Sequence, residues 1–177
     1  MATATVPFVS VDEYLRTDYE PDADYVDGQI EERPMGEWHH TKLQKLILLA
    51  LAKFEADDEY LIAQEQRVQV SPTRFRIPDT CVISSADEPQ QIVTTSPLLC
   101  IEVLSPEDTY RRVYLKCQDY LRMGVPEVWI FDPETVAVDV LRGDTATKHH
   151  NGVLRLGGTP IELDLDMLRA AMVRRAK

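Results

Sequence analysis

No apolar run in this sequence approaches the roughly 18 residues that a membrane-crossing helix needs, so a membrane-embedded role is not expected. The stretch from Met1 to Val11 has neither the basic start nor the apolar centre of a signal peptide, and the expected compartment is the cytoplasm. Cysteine is scarce. Cys81, Cys100 and Cys117 are odd in number, widely spaced and without a Cys-x-x-Cys pair, a usage that fits buried free thiols better than a disulfide framework or a zinc site. Basic charge is short as well: 19 Lys and Arg stand against 30 Asp and Glu, a formal net charge of −11. That balance argues against non-specific adhesion to nucleic acid or anionic membranes. It leaves room for a metal-dependent phosphodiesterase, which gathers carboxylates at its centre and needs only a local basic rim. No internal repeat, low-complexity segment or linker interrupts the chain.

What is present reads as one domain over residues 1–177, with a core over about 10–142 and a C-terminal hairpin and helix over 143–177. Ser10 with Glu13 three residues on is a helix-start signature, for a short helix ending near Asp18. Asp27-Gly28 between two short runs predicts a β-hairpin. From Trp38 to Asp57 the residues Leu43, Leu46, Ile47, Ala50, Leu51 and Phe54 form one helical stripe. Tyr60 to Ala63 and then Arg67 to Val70 read as an extended strand, Ser71-Pro72-Thr73 as a turn, Thr80 to Ile83 as a strand, and Ser84 to Ser96 as a surface loop. The strand Leu98–Leu104 leads through Ser105-Pro106 into a helix with Ser105 at its cap and Gly124 at its end. This helix carries Tyr110, Val113, Tyr114, Cys117 and Leu121 as its apolar face, and Val128 to Phe131 follows as a parallel strand. A strand over Val136 to Leu141, a hairpin-like stretch around Asn151-Gly152, and a closing helix ending in Met172-Val173-Arg174-Arg175 complete the chain. The expected class is α/β (α+β): a mixed central β-sheet flanked by α-helices, with an N-terminal β-hairpin.

Glu102 is the anomaly in this pattern. It sits inside the apolar run Leu98-Leu99-Cys100-Ile101-Glu102-Val103-Leu104, and an ionised carboxylate buried there is costly unless a cation or hydrogen-bond donors meet it. Period-two geometry puts Glu102 on the face of Leu98, Cys100 and Leu104, and the neighbouring strand could bring Asp79 of Pro78-Asp79 alongside. Two converging carboxylates repel unless a divalent cation neutralises them, and Mg²⁺ suits such a pair, with the backbone carbonyl of Val103 as a further ligand. The helix after Glu102 can return Lys116 to the same edge, where an ammonium would orient an attacking water and stabilise charge growing on a phosphate.

The arrangement resembles the PD-(D/E)xK nuclease superfamily, with Pro78-Asp79 as the first half and Ile101-Glu102-Val103-Leu104 as the second; Leu104 stands where that pattern has Lys. More specifically, the chain resembles the Uma2 family, once called DUF820, of bacterial restriction-endonuclease-like proteins. The residues that carry this are Asp24-Tyr25-Val26-Asp27-Gly28, His40, Arg76-Ile77-Pro78-Asp79, Ile101 to Pro106, and Lys116 with Tyr120 and Gly124 to Pro133. The resemblance implies a restriction-endonuclease-like core that hydrolyses DNA by metal-activated water. Asp79 and Glu102 would bind Mg²⁺, with Mn²⁺ as a substitute, Lys116 would replace the missing lysine, and Asp24 would contribute from the hairpin. It also implies a homodimer.

His40 falls three residues before Leu43, on the inward stripe, while His39 sits one residue around the turn. A hydrogen-bonded His near a helix start is the plainer reading, and a site-proximal catalytic role the sharper one. His149-His150 reads as a solvated pair. Arg67, Arg74, Arg76, Arg111 and Arg112 are candidates for a nucleic-acid-binding rim, Arg111-Arg112 foremost because they lie one turn before Lys116; ordinary surface arginines paired with acids explain them equally well. Arg174, Arg175 and Lys177 fit the negative end of the last helix. Two other functions stay open: a non-catalytic binding protein that keeps the nuclease core as a scaffold, and hydrolysis of a smaller phosphate ester.

Overall fold

The computed structural model describes residues 8–33, 36–56, 59–87 and 90–173. Helix α1 (Val11–Arg16) starts at Ser10, whose hydroxyl accepts from the Glu13 N–H at 3.2 Å. Strands β1 (Ala23–Val26) and β2 (Gln29–Glu32) form the expected hairpin. Its turn holds Asp27 at φ 49° and Gly28 at φ 92°, the two left-handed conformations a tight hairpin of this hand requires. Helix α2 (Trp38–Leu51) buries Leu43, Ile47 and Leu51 as the stripe predicts, then tightens into a 3₁₀ turn over Ala52–Glu55.

From there the chain differs from the single expected strand. β3 (Tyr60–Gln64) and β4 (Val68–Ser71) belong to different sheets, because Glu65 takes a left-handed φ of 50° and turns the chain between them. β5 (Arg74–Arg76), β6 (Thr80–Ser84), β7 (Leu99–Val103), α3 (Tyr110–Met123), β8 (Glu127–Phe131) and β9 (Val138–Arg142) follow. Then come β10 (Thr145–His149), β11 (Val153–Arg155), β12 (Glu162–Asp164) and α4 (Leu165–Val173). The end of the expected last helix, with Arg174, Arg175 and Lys177, lies outside the described residues, as do Asp57 and the first seven positions.

Two main sheets result. A four-stranded sheet runs β2-β1-β5-β4, and a six-stranded mixed sheet runs β10-β9-β8-β7-β6-β3 with β7 and β8 parallel. Helix α3 connects that parallel pair, as the strand-helix-strand spacing predicts. The alternation of β7 feeds two cores. Leu99, Ile101 and Val103 pack with Leu43, Ile47 and Leu51 of α2, and α4 adds Leu165 and Leu168 on this side. Cys100 faces the other way, towards Val113, Cys117 and Tyr120 of α3, while Leu98 packs with the first cluster rather than on the expected face. A third cluster of Tyr14, Tyr25 and Phe75 fastens α1 to the four-stranded sheet, with the Tyr14 and Tyr25 rings stacked 4.9 Å apart.

Three local expectations are corrected. Thr109, not Ser105, caps α3 by accepting from the Arg112 N–H, because Asp108 closes a separate turn on the Ser105 N–H and hydroxyl. Asn151-Gly152 joins strands of different sheets and turns no hairpin; the chain instead forms hairpins between β9 and β10, turning at Gly143 with φ 52°, and between β11 and β12. Within the expected Ser84 to Ser96 loop, Val93 is buried and bridges to Val68. All three cysteines are free and buried as expected. Among the described residues no helix is long and apolar enough to cross a membrane.

The chain passes from the small sheet to the large one through Ile77-Pro78-Asp79, between β5 and β6. Arg76, at the end of β5, locks that passage. Its guanidinium meets Asp119 of α3 at 2.8 Å, Asp24 of β1 at 3.2 Å and Glu31 of β2 at 2.7 Å, with only 6% of the side chain exposed. Asp119→Ala leaves that charge buried and under-paired, and is expected to cost about 3–5 kcal/mol of stability, measured by urea unfolding. A loss below about 1 kcal/mol, the scale of a surface pair, would show that the network is not holding the two sheets together.

Candidate functional site

β6 and β7 are antiparallel with Thr80 opposite Ile101; one step beyond that pair, Asp79 comes opposite Glu102. This register is why a Pro-Asp dipeptide and a strand carboxylate distant in sequence share one place. Both are buried, at 4% and 5% exposure. Asp79 Oδ2 accepts from the Val103 N–H at 2.7 Å and lies 3.4 Å from His40 Nε2, while Oδ1 accepts from Arg33 Nη2 at 2.9 Å. The Asp79 backbone carbonyl is 3.5 Å from the Gln44 amide. Val103, whose carbonyl is the expected further ligand, also serves the Asp79 carboxylate through its N–H.

Lys116 arrives from α3 as anticipated. It shares the buried face of that helix with Val113, Cys117 and Tyr120, at i+3 and i+4 spacing, and 12% of its side chain is exposed. Its ammonium lies 2.9 Å from Glu102 Oε1 and 3.7 Å from Asp24 Oδ2, and donates to the Ile77 carbonyl at 2.7 Å. Tyr120 donates its hydroxyl to Glu102 at 2.8 Å. Asp24, on β1, accepts from the Ile77 N–H at 2.9 Å, so the hairpin carboxylate braces the peptide that leads into Asp79.

The two facing carboxylates are pushed in opposite directions. Burial pushes Glu102 up to about 7, and the Asp79 charge adds to this, while Lys116 and the Tyr120 hydrogen bond only partly offset it. Burial acts on Asp79 in the same direction, but the His40 hydrogen bond and the charges of Lys116, His40 and Arg33 outweigh it and hold Asp79 below its usual value. For Lys116, burial works against the charged form, yet Asp24 and Glu102 keep its pKa above the ordinary lysine value. Asp79 likewise raises His40 against the effect of burial.

These groups line an open cleft of about 380 Å³, bordered by seven carboxylates and four Arg and Lys side chains. Arg33 and Arg112 belong to that lining; Arg33 was not among the candidates from sequence. Its signal was legible: Asp24 pairs with Glu31 in the hairpin, and Arg33 is the next residue of the same period-two face. Arg112 donates to the Glu32 carbonyl and lies 3.9 Å from Asp108. Arg111 is exposed on α3. Arg76, expected on a basic rim, is instead committed to Asp119, Asp24 and Glu31 inside the protein. Arg74 pairs with Asp27 and Asp119, Arg67 stacks over the Tyr14 ring, and His39 pairs with Glu134 at the surface.

Among the described residues no group of three or more His, Cys, Asp or Glu side chains is arranged to hold a metal ion. The facing pair Asp79 and Glu102 nevertheless fits Mg²⁺ in kind, since that ion takes one or two carboxylates and keeps several waters. Glu102, whose burial the neighbouring ammonium leaves incompletely compensated, is the oxygen donor that a further cation would relieve.

Comparison with known proteins bears on this cleft. The model of the Uma2 family, described as "Putative restriction endonuclease", matches residues 11–169. A solved structure described as "a putative nuclease belonging to DUF820 from Anabaena variabilis ATCC 29413" is similar in fold, with a TM-score of 0.83 and 20% identity, covering 93% of this chain and 99% of that one. Among curated proteins no relative matches.

The raised Glu102 has a consequence for stability in metal-free buffer. The folded chain binds this proton more tightly than the unfolded chain, so the group's contribution is complete below 4.5 and is lost as pH rises towards about 7. At about 1.4 kcal/mol per unit the loss approaches about 3 kcal/mol. Urea unfolding across that window is expected to show the decline in the native chain and not in Glu102→Gln; parallel profiles would refute it.

Proposed function

Because the chain belongs to the Uma2 family, whose model spans residues 11–169, we propose that it is a divalent-metal-dependent endonuclease that hydrolyses DNA phosphodiester bonds. The observation that carries this reading is Lys116: it points into the cleft and sits 2.9 Å from Glu102, opposite Asp79, although it comes from a helix and not from the strand. Asp79 and Glu102 would hold Mg²⁺, or Mn²⁺ in its place, and the bound ion would supply Lewis-acid polarisation of the phosphate and activation of a water. Lys116 holds a water by its free donor capacity and meets the negative charge that grows on the phosphate. Glu102 and the Ile77 carbonyl fix where that ammonium stands, Tyr120 fixes Glu102, and His40 and the Val103 N–H fix Asp79. Asp24 is a positioning residue for the Ile77-Pro78-Asp79 passage. Arg111 and Arg112, at the start of α3, are the proposed contacts to the DNA backbone. A homodimer, in which two sites meet two strands, accompanies this reading.

A second reading has its own observation. Arg33 and His40 already pair with Asp79, and Lys116 with Glu102, without any ion, and carboxylates outnumber Arg and Lys in the cleft lining; both suit a binding scaffold on a nuclease fold. The readings part on two measurements. Supercoiled plasmid incubated with Mg²⁺ or Mn²⁺ is expected to be nicked by the native chain, not by Asp79→Ala or Glu102→Ala, and about 10²–10³-fold more slowly by Lys116→Met. Absence of nicking, or equal nicking by all variants, together with no Mn²⁺ heat in calorimetry and an unchanged melting temperature, would establish the scaffold instead.

A further inference from the structure

Arg33 occupies the approach to the one oxygen of Asp79 that the protein backbone does not use. Oδ2 is taken by the Val103 N–H at 2.7 Å and faces His40 at 3.4 Å. Oδ1 is held by Arg33 Nη2 at 2.9 Å, and the other guanidinium nitrogen, Nη1, lies 3.5 Å from Glu65 Oε1. The guanidinium is largely enclosed, with 16% of the side chain exposed, while Glu65 is half-exposed at 53%. One cation therefore bridges a buried carboxylate and a solvated one at the wall of the cleft.

A divalent ion held by Asp79 would stand beside this guanidinium, and like charges so close repel strongly where water is sparse. Glu65 offers the displaced guanidinium a second partner within the cleft, so Arg33 need not leave for solvent. A planar guanidinium with paired donors is the side chain best matched to a phosphate. The cleft has few other cations with this freedom: Arg76 is fixed by three carboxylates, and Lys116 by Glu102 and the Ile77 carbonyl.

We propose that Arg33 is a catalytic residue with two stations. It pairs with Asp79 in the metal-free protein, and it contacts a phosphate of the nucleic acid once a divalent ion has taken Asp79. This rests on the metal-dependent nuclease reading above and adds to it the residue that receives the substrate's charge. The metal and Arg33 would thus compete for Asp79, while Arg33 and the substrate would cooperate.

Calorimetry with Mn²⁺ alone, and fluorescence anisotropy of a short labelled DNA duplex with the Ca²⁺-loaded protein, read the two stations separately from turnover. Arg33→Ala is expected to bind Mn²⁺ about tenfold more tightly than the native chain, and the duplex about tenfold more weakly. Arg33→Lys, which keeps the charge without the fork, is expected to keep native Mn²⁺ affinity and to recover only part of the duplex binding. Arg33→Gln replaces the alanine variant, with the same expectations, if that one does not fold. Unchanged or weaker Mn²⁺ affinity on removing the charge, or unchanged duplex affinity, would overturn the two-station role while leaving the nuclease reading intact. A native chain that takes up no Mn²⁺ would overturn both.

Discussion

Four of the five carboxylates buried to within a few per cent, Asp24, Asp79, Glu102 and Asp119, impose the constraint on which this molecule depends. Each has to be met by a cation or donor, and the partners come from other elements of the chain. Asp24 and Asp119 share Arg76, Asp79 takes Arg33 and His40, and Glu102 takes Lys116 and Tyr120. Buried ion pairs of this kind give little net stability against an apolar alternative, yet removing one partner is costly. The result is a set of relationships that ties the hairpin sheet, the passage into the large sheet, and helices α2 and α3 to one another. The cleft lies where those ties meet.

Much of this was legible in the sequence. The apolar strand with one acid in it, the Pro-Asp dipeptide, the Asp-Gly turn and the stripe of α2 each announce a physical requirement that the fold meets. Lys116 has to reach the strand's edge from a helix, and its place beside Val113, Cys117 and Tyr120 on one helical face brings it to Glu102. What failed to show was tertiary. Arg76 looks like any basic residue until Asp119, far along the chain, is brought to it. Thr109 and Ser105 are equally good caps on paper, and only the turn closed by Asp108 decides between them. Between Tyr60 and Val70 local pattern cannot see that Glu65 breaks the strand, because a left-handed non-glycine residue has no reliable sequence mark.

The charge balance of the whole chain carries over to the cleft, where carboxylates also exceed Arg and Lys. A polyanion therefore gains little from the protein's average field, and local arrangement has to do what net charge does not. The three thiols packed beneath the site do not add chemistry to it. Burial drives Cys81 up to about 12 and holds Cys100 and Cys117 well above the ordinary thiol value, which keeps them protonated and inert.

The passage through Ile77-Pro78-Asp79 also bears on how the molecule comes into being. Its contacts join residues far apart along the chain: 46 positions separate Arg33 from Asp79, and 52 separate Arg76 from Asp24. Contacts of such long range form only after the entropy of closing large loops has been overcome. Lys116 and Asp119 leave the ribosome after the strands whose residues they meet: Asp24 of β1, Arg74 and Arg76 of β5, and Glu102 of β7. A nascent chain halted before α3 already holds Arg33, His40 and Arg76 but has neither Lys116 to meet Glu102 nor Asp119 to meet Arg76, so the cleft is completed only when that helix packs.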